Sequence, residues 1–297
     1  MMKQRRPDMD LQVLYYFLAV AREENFSRAA SAIHISQPTL SRQIAELEEE
    51  LGKKLFVRGP RTLSLTPEGQ LLKKRAQELL ELAEKTEEEI RAGSEEVSGN
   101  IYIGAGETYG IHTITQAFYE FRRQYPDVSL HISSGDRQDL SYQLENGLID
   151  MAVVFGEVDP SRYECITLPY QDRMGIYVRK DDPLSEKKQI HAEQDLRDRP
   201  LIVNRGTGSE LLPGIPLHLF RIAGTYNLLF NASLMAIDGL GCVVGLEHII
   251  PTEGTDLVFI PFVPEDRLRL YLIYKKYQTM SRHTALFLDL LRRMAGE

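Results

Sequence analysis

Residues 35–48 read ISQPTLSRQIAELE. Ser36 is placed to cap a helix by accepting the backbone N–H of Thr39. Pro38 is tolerated there because the first helical turn needs no donor from it. Leu40, Ile44, Leu47 and Leu51 recur at steps of four, three and four, which marks one apolar face. The other face carries Gln37, Thr39, Ser41, Arg42 and Gln43. Readout of duplex DNA in the major groove needs side chains of this kind at the N-terminal end of an inserted helix. Arginine grips a guanine edge bidentately, glutamine does the same with adenine, and serine and threonine take base edges or phosphates. Pro38 offers an apolar surface to a thymine methyl, and the helix N-terminus at Ser36 favours a phosphate. Taken alone, the same helix also fits the solvated face of a small helical domain, so its neighbours decide.

Upstream, Leu11, Leu14, Phe17, Leu18 and Ala21 predict a helix over residues 10–23. Ser27 is the expected N-cap of a short second helix whose small side chains Ala29, Ala30 and Ala32, with Ile33, permit close packing. His34 falls in the following turn, where a packing or capping role is expected rather than ligation. Two short helices joined by a tight turn form a helix-turn-helix pattern. Downstream lies KKLFVRGPRTLSLTPEG, residues 53–69. Leu55–Arg58 and Leu63–Thr66 flank Gly59-Pro60-Arg61, which predicts a hairpin, or wing, with Arg58 and Arg61 at or near its tip. Those arginines suit phosphates or a narrow minor groove. Arg28, Lys53 and Lys54 are phosphate contacts or ordinary surface. Thr66 and Pro67 then supply an N-cap and a first helical residue. The helix they start runs to about Ala92, with Leu72, Ala76, Leu79, Ala83, Thr86 and Ile90 at steps of four, three, four, three and four. That heptad seam predicts a dimerisation helix. Residues 91–100 read as a linker.

The chain has 297 residues, enough for about two domains, and is 43% apolar. It carries no run of ~18 apolar residues that would span a membrane. The basic start MMKQRRPDMD leads into an amphipathic segment rather than a signal peptide, so a cytoplasmic location is expected. Cys165 and Cys242 make neither a disulfide framework nor a zinc spacing. Inert thiols are expected, a redox pair being the alternative. The net charge of −8 divides as +2 over residues 1–66 and −10 over the rest. Seven scattered histidines offer no paired metal spacing, and no nucleophile elbow or P-loop occurs, so no metal, cofactor or catalytic residue is assigned.

From Ile101 the texture changes. Strand-like runs are Ile101–Ile103, Val128–Ile132, Asp150–Phe155, Gly175–Val178, Leu201–Val203, Cys242–Val244, Leu257–Ile260 and Leu268–Tyr274. Helical stretches fall near 110–125, 137–147, 226–238 and 281–294. This predicts α/β architecture with mostly parallel sheets, and a length of about 200 residues predicts two lobes.

FSRAASAIHISQPTLSRQIAELEEELGKKLFVRGPRTLSLTPEG, residues 26–69, resembles the winged helix-turn-helix of the LysR-type transcriptional regulators. The resemblance covers about residues 10–92 closely and is compatible with the α/β remainder. It implies an α+β multidomain chain: a head over 1–66, a linker helix over 67–92, and an effector-binding domain over 93–297. The last consists of two lobes resembling periplasmic binding proteins, about 99–165 plus 268–297, and 166–267. It further implies a homodimer or homotetramer on an interrupted palindrome of double-stranded promoter DNA. A small-molecule metabolite between the lobes would change DNA bending and contact with RNA polymerase.

Open α/β sheets bind ligands at the carboxyl ends of strands. Gly106, Glu107 and Thr108, in the loop GAGETYG, line the cleft by resemblance, as do residues 204–209 from the other lobe. Expected effector contacts are Gly106, Glu107, Thr108, Ser133, Phe155, Asn204, Arg205 and Thr207. Arg205 suits a carboxylate, and Glu107 suits an amino or hydroxyl group. A rival reading makes GAGETYG a dinucleotide fingerprint in an α/β enzyme, with Asp136 as the ribose-binding acid. Its spacing is GxGxxxG rather than GxGxxG, and it leaves the first 100 residues unexplained. A binding protein without DNA would have no use for the wing or the heptads.

Overall fold

The computed structural model describes residues 10–59, 63–91, 97–265 and 267–296. The chain divides into two compact units, Met1–Arg91 and Ala92–Glu297. In the first, α1 (Leu11–Glu23), α2 (Phe26–Ala32) and α3 (Gln37–Leu51) pack around Leu14, Phe17, Val20, Ala29, Ala30, Leu40, Ile44 and Leu47. Asp10 caps α1 by accepting the Gln12 N–H. Asn25, not Ser27, caps α2: its Oδ1 accepts the N–H groups of Ser27 and Arg28 at 2.9 and 3.0 Å. Asparagine caps as well as serine does, and here it stands one residue before the first helical turn. Leu11, Ala32 and Leu51, read as helix-face residues, are exposed at helix ends.

His34 closes α2 with φ +57°, a left-handed conformation that favours glycine. Its N–H bonds the Ser31 carbonyl while the Ile35 N–H reaches back to Ala30 at 3.0 Å. That pair of bonds is a Schellman cap, so His34 has a backbone capping role and its side chain is exposed. The wing is the antiparallel pair β1 (Phe56–Arg58) and β2 (Leu63–Leu65).

Helix α4 spans Pro67–Arg91. Thr66 caps it, accepting the Gly69 N–H at 2.9 Å while donating to the Lys54 carbonyl at 2.7 Å. The heptad seam divides in two. Ala76 is fully buried in the head's own core and Leu72 packs against the same core, because α1 lies against this end of α4. These two residues are therefore used, fully by Ala76 and in part by Leu72, within the head itself. Leu79 and Ile90 are 40% and 79% exposed, Thr86 is exposed and Ala83 half-buried.

The second unit runs β3 (Gly99–Ala105), α5 (Ile111–Gln124), β4 (Val128–Ser134), α6 (Arg137–Glu145), β5 (Met151–Phe155), β6 (Tyr163–Arg179), α7 (Ala192–Asp195) and β7 (Pro200–Asn204). It continues through β8 (Glu210–Leu212), β9 (Ile215–Pro216), β10 (Arg221–Tyr226), α8 (Leu229–Ile237), β11 (Cys242–Leu246), β12 (Leu257–Pro261), β13 (Arg267–Lys275) and α9 (Arg282–Ala295). The strand order is β10-β7-β11-β6-β13-β5-β3-β4, with β12 on β6.

Pairing is mixed rather than mostly parallel. β3 is parallel to β4 and β5, and β7 to β10 and β11, but β6 and β13 run antiparallel to their neighbours. The physical reason is that β6 and β13 carry the chain between lobes in opposite directions. Tyr163–Arg173 of β6 pairs with β13, whereas Met174–Arg179 pairs with β11 and β12. The lobes therefore change over at Arg173–Met174 rather than at 165–166, and the chain returns between Pro261 and Arg267. Arg173 pins the crossing, donating to both oxygens of Glu247 at 2.8 and 2.6 Å. Each lobe has its own core, around Ile103, Met151, Leu272 and Phe287 in one and Val178, Leu201, Val244 and Phe262 in the other.

Replacing Ala76 with glutamate puts an unpaired charge into the head's core. Thermal or denaturant unfolding of Ala76→Glu should show a loss of about 3 kcal/mol or more for the head. A near-neutral result would mean that this end of α4 does not pack as described.

Candidate nucleic-acid interface and ligand cleft

Burial of Leu40, Ile44 and Leu47 turns the N-terminal polar row of α3 outward. Gln37, Pro38, Thr39 and Arg42 are exposed and Ser41 half-buried. Ser36 caps the helix, accepting the Thr39 N–H at 3.3 Å and sharing a hydroxyl bond with Thr39 at 2.7 Å. Gln37 donates to the Ser41 hydroxyl at 2.7 Å. Arg42 meets Glu46 at 3.8 Å with 70% of its side chain exposed. A surface pair of that kind contributes under about 1 kcal/mol, so Arg42 is available to a base edge. The sequence-expected contacts thus share one helix end. Arg58 ends β1, and Arg61 lies outside the described residues.

Glu48 ties this helix to the wing. Its Oε1 accepts the N–H groups of Leu55 and Phe56 at 2.8 and 3.3 Å, and its Oε2 meets Lys54 at 2.6 Å. Burial pushes its carboxyl upward, but the Lys54 ammonium and the two N–H donors outweigh that and hold it below the usual glutamate range. Among the acids at residues 46–50, this one has a structural use that the sequence did not signal.

In the second unit, the loop after β3 reaches the start of α8 and the loop after β4 approaches the loop after β7, each across the lobes. Glu107, half-buried, accepts the backbone N–H of Leu229 at the start of α8. Arg205 approaches Asp136 at 3.8 Å, and both side chains are open to solvent. Near the crossing strands, the Tyr109 ring lies 5.3 Å from that of His248 and 5.7 Å from that of Tyr170. Gly106 comes within van der Waals reach of Phe155, since a Cβ there would lie 3.6 Å from that ring. Ser133 and Thr207 are half-buried at the same loop ends, and Asn204 uses its side-chain oxygen to hold the Gly206 N–H at 2.7 Å.

Thr108 departs from expectation. It is buried, its hydroxyl donates to Asp172 and accepts the Gly110 N–H at 2.9 Å, and so it anchors the loop rather than a ligand. Two of the three glycines of GAGETYG, Gly104 and Gly110, are likewise explained by packing. A Cβ at Gly104 would lie 2.5 Å from Leu140, and one at Gly110 would collide with Leu270. Asp136 caps α6 by accepting the Gln138 and Asp139 N–H groups. The dinucleotide reading therefore loses Gly104 to packing and its acid to a helix cap.

A family model described as "Bacterial regulatory helix-turn-helix protein, lysR family" matches residues 11–70, and one described as "LysR substrate binding domain" matches residues 94–296. The chain belongs to the LysR family. A "Probable RuBisCO transcriptional regulator" of Synechocystis sp. is 32% identical over 185 residues, which are 62% of this chain and 54% of that one. "HTH-type transcriptional regulator CysL" of Bacillus subtilis is 30% identical over 202 residues, 68% of this chain and 67% of that one. The match thus spans between about half and two thirds of the length of these curated relatives. Among solved structures, that of CbnR, a LysR family transcriptional regulator, superposes with a TM-score of 0.74 at 21% identity, covering 97% of this chain and 100% of that one. The structure of full-length CbnR with its target DNA gives 0.72 at 21% identity, covering 96% and 99%. At that identity the likeness is one of fold.

Sequence reasoning missed Asp172 and the start of α8, because their partners are distant along the chain. Asp172 is fully buried on β6. Burial pushes its carboxyl up to about 6, although the Thr108 hydroxyl, the Tyr109 N–H and His248 pull it part of the way back. Cys242 is also buried, and burial pushes its thiol upward despite nearby Arg199, which disfavours the reactive thiolate.

The raised Asp172 pKa sets a pH dependence. Folded and unfolded forms are both protonated well below pH 4, so burial costs little there. The folded state then loses stability as pH rises from about 4 to about 6, by about 3 kcal/mol in all, and the loss is complete above that. Asp172→Asn should remove this contribution, so denaturation at pH 4 and pH 8 should show the variant gaining on the parent at the higher pH. Parallel pH profiles would contradict the assignment.

Proposed function

We propose that this chain is a sequence-specific, DNA-binding regulator of transcription whose grip on DNA is adjusted by a small metabolite between the two lobes. The observation that carries this reading is the exposed, capped N-terminal end of α3, with Gln37, Pro38, Thr39, Ser41 and Arg42 presented together above a fully packed core. The wing follows directly, fastened to α3 through Glu48. Arg58 and Arg61 then contact backbone phosphates or the minor groove. Gly106, Glu107, Ser133, Phe155, Asn204, Arg205 and Thr207 surround the effector, with Thr108 bracing their loop. The chain works as a homodimer or homotetramer on an interrupted palindrome in the cytoplasm, where changed DNA bending alters its contact with RNA polymerase. It is not an enzyme in this reading.

Family membership and the likeness in fold to CbnR, which has been solved on its target DNA, support the DNA partner. The matched substrate-binding domain supports the effector. No helix among the described residues is long and apolar enough to cross a membrane.

The test is base preference. Arg42→Ala should cost about 1–3 kcal/mol at the cognate site and relax selection at one base position. Unchanged affinity and unchanged preference would overturn the assignment of α3 as the reading helix.

Leu79 carries the pairing seam beyond the head's own core. Leu79→Glu should convert the assembly to smaller species in sedimentation equilibrium. A variant that sediments like the parent would place the pairing surface elsewhere.

A further inference from the structure

Helix α8 starts without a cap of its own. Its N-cap residue, Leu228, has no side-chain oxygen, and the first turn contains no acid. The first-turn N–H groups of a helix lack partners within the helix and attract a negative charge. Here the charge comes from the opposite lobe: the Glu107 carboxylate accepts the Leu229 N–H. Glu107 also acts electrostatically on Tyr226, at the end of β10.

The loop that carries Glu107 is firmly based. Thr108 is locked between Asp172 and the Gly110 N–H, and Asp172 lies on the strand next to the lobe crossing. Pull on Glu107 is therefore transmitted to the sheet rather than absorbed by the loop. The lobes are otherwise joined through the crossing strands, the Arg173–Glu247 pin and, near the crossing, the Tyr109–His248 ring contact at 5.3 Å. At the rim, the Arg205–Asp136 pair at 3.8 Å is solvent-exposed and weak.

We propose that Glu107 is an intramolecular latch that holds the two lobes together across the cleft, so that opening the cleft requires breaking its bond to α8. Two features separate a latch from an ordinary cap. Donor and acceptor belong to different lobes, and a local side chain would have served if only the helix needed capping. A charge-assisted bond of this kind shifts an opening equilibrium by about tenfold or more. Only the regulatory consequence rests on the proposed effector response; the latch itself is a property of the protein without DNA or ligand.

Amide hydrogen exchange on the intact chain, without DNA or effector, tests it. In Glu107→Ala, exchange should rise about tenfold at Leu229–Ala232 and also at the facing loops, residues 106–109 and 204–207, while the central strands β3 and β11 stay as protected as in the parent. Glu107→Gln, which preserves side-chain size, should give the same pattern with a smaller rise, and it carries the test if the alanine variant folds poorly. Unchanged exchange at the facing loops in both variants overturns the latch. A rise confined to the α8 amides also overturns it, because it reduces Glu107 to a local cap.

Discussion

Burial of Leu40, Ile44 and Leu47 is the constraint on which the head depends. These side chains commit one face of α3 to the core shared with α1 and α2, and so fix which residues remain outside. Ser36 and the His34 Schellman turn then set where the helix begins and how it leaves α2. Six consecutive positions, 37–42, contain one core residue, Leu40, and five hydrogen-bonding or apolar contacts suited to a groove. The acidic net charge is no obstacle, because reading bases needs a few well-aimed donors more than a general positive surface.

The second unit solves a different problem. Two lobes with separate cores must be joined without merging either core. β6 and β13 accomplish this by pairing within one lobe along part of their length, with β6 continuing into the sheet of the other. Covalent continuity lies on one side of the cleft, at Arg173–Met174 and after Pro261. Breakable contacts lie at the loop ends: Glu107 on α8, Arg205 by Asp136, and the Tyr109–His248 rings. Coupling between these lobes and the DNA-binding head would pass through equilibria of this kind, with each effector shifting them only as far as its differential affinity allows.

Much of the head is legible in the sequence because its determinants are local. The Ser36 cap, Pro38, the alternating wing and the Thr66-Pro67 helix start each occupy a few adjacent residues, and the structure keeps them. Asn25 displaces Ser27 as a cap because two good capping residues stand within two positions of each other. Ala76 satisfies a heptad but is claimed by the head's core, a choice that periodicity cannot distinguish. β6 reads as a four-residue run because Pro169 and the polar residues around it resemble a loop. The register shift opposite Leu270 shows how the ladder accommodates them as a bulge. At the cleft, Glu107 and Leu229 are 122 residues apart, and Thr108 and Asp172 are 64 apart. No local pattern announces such pairs.

The most direct measurement of the central claim is selection of bound duplexes from a randomised pool by the purified full chain at moderate ionic strength. A regulator built as described enriches a motif with two symmetry-related halves separated by a spacer, one half for each head. Failure to enrich any sequence, with or without added metabolite pools, would contradict it, as would recovery of single-stranded or unrelated sequences only.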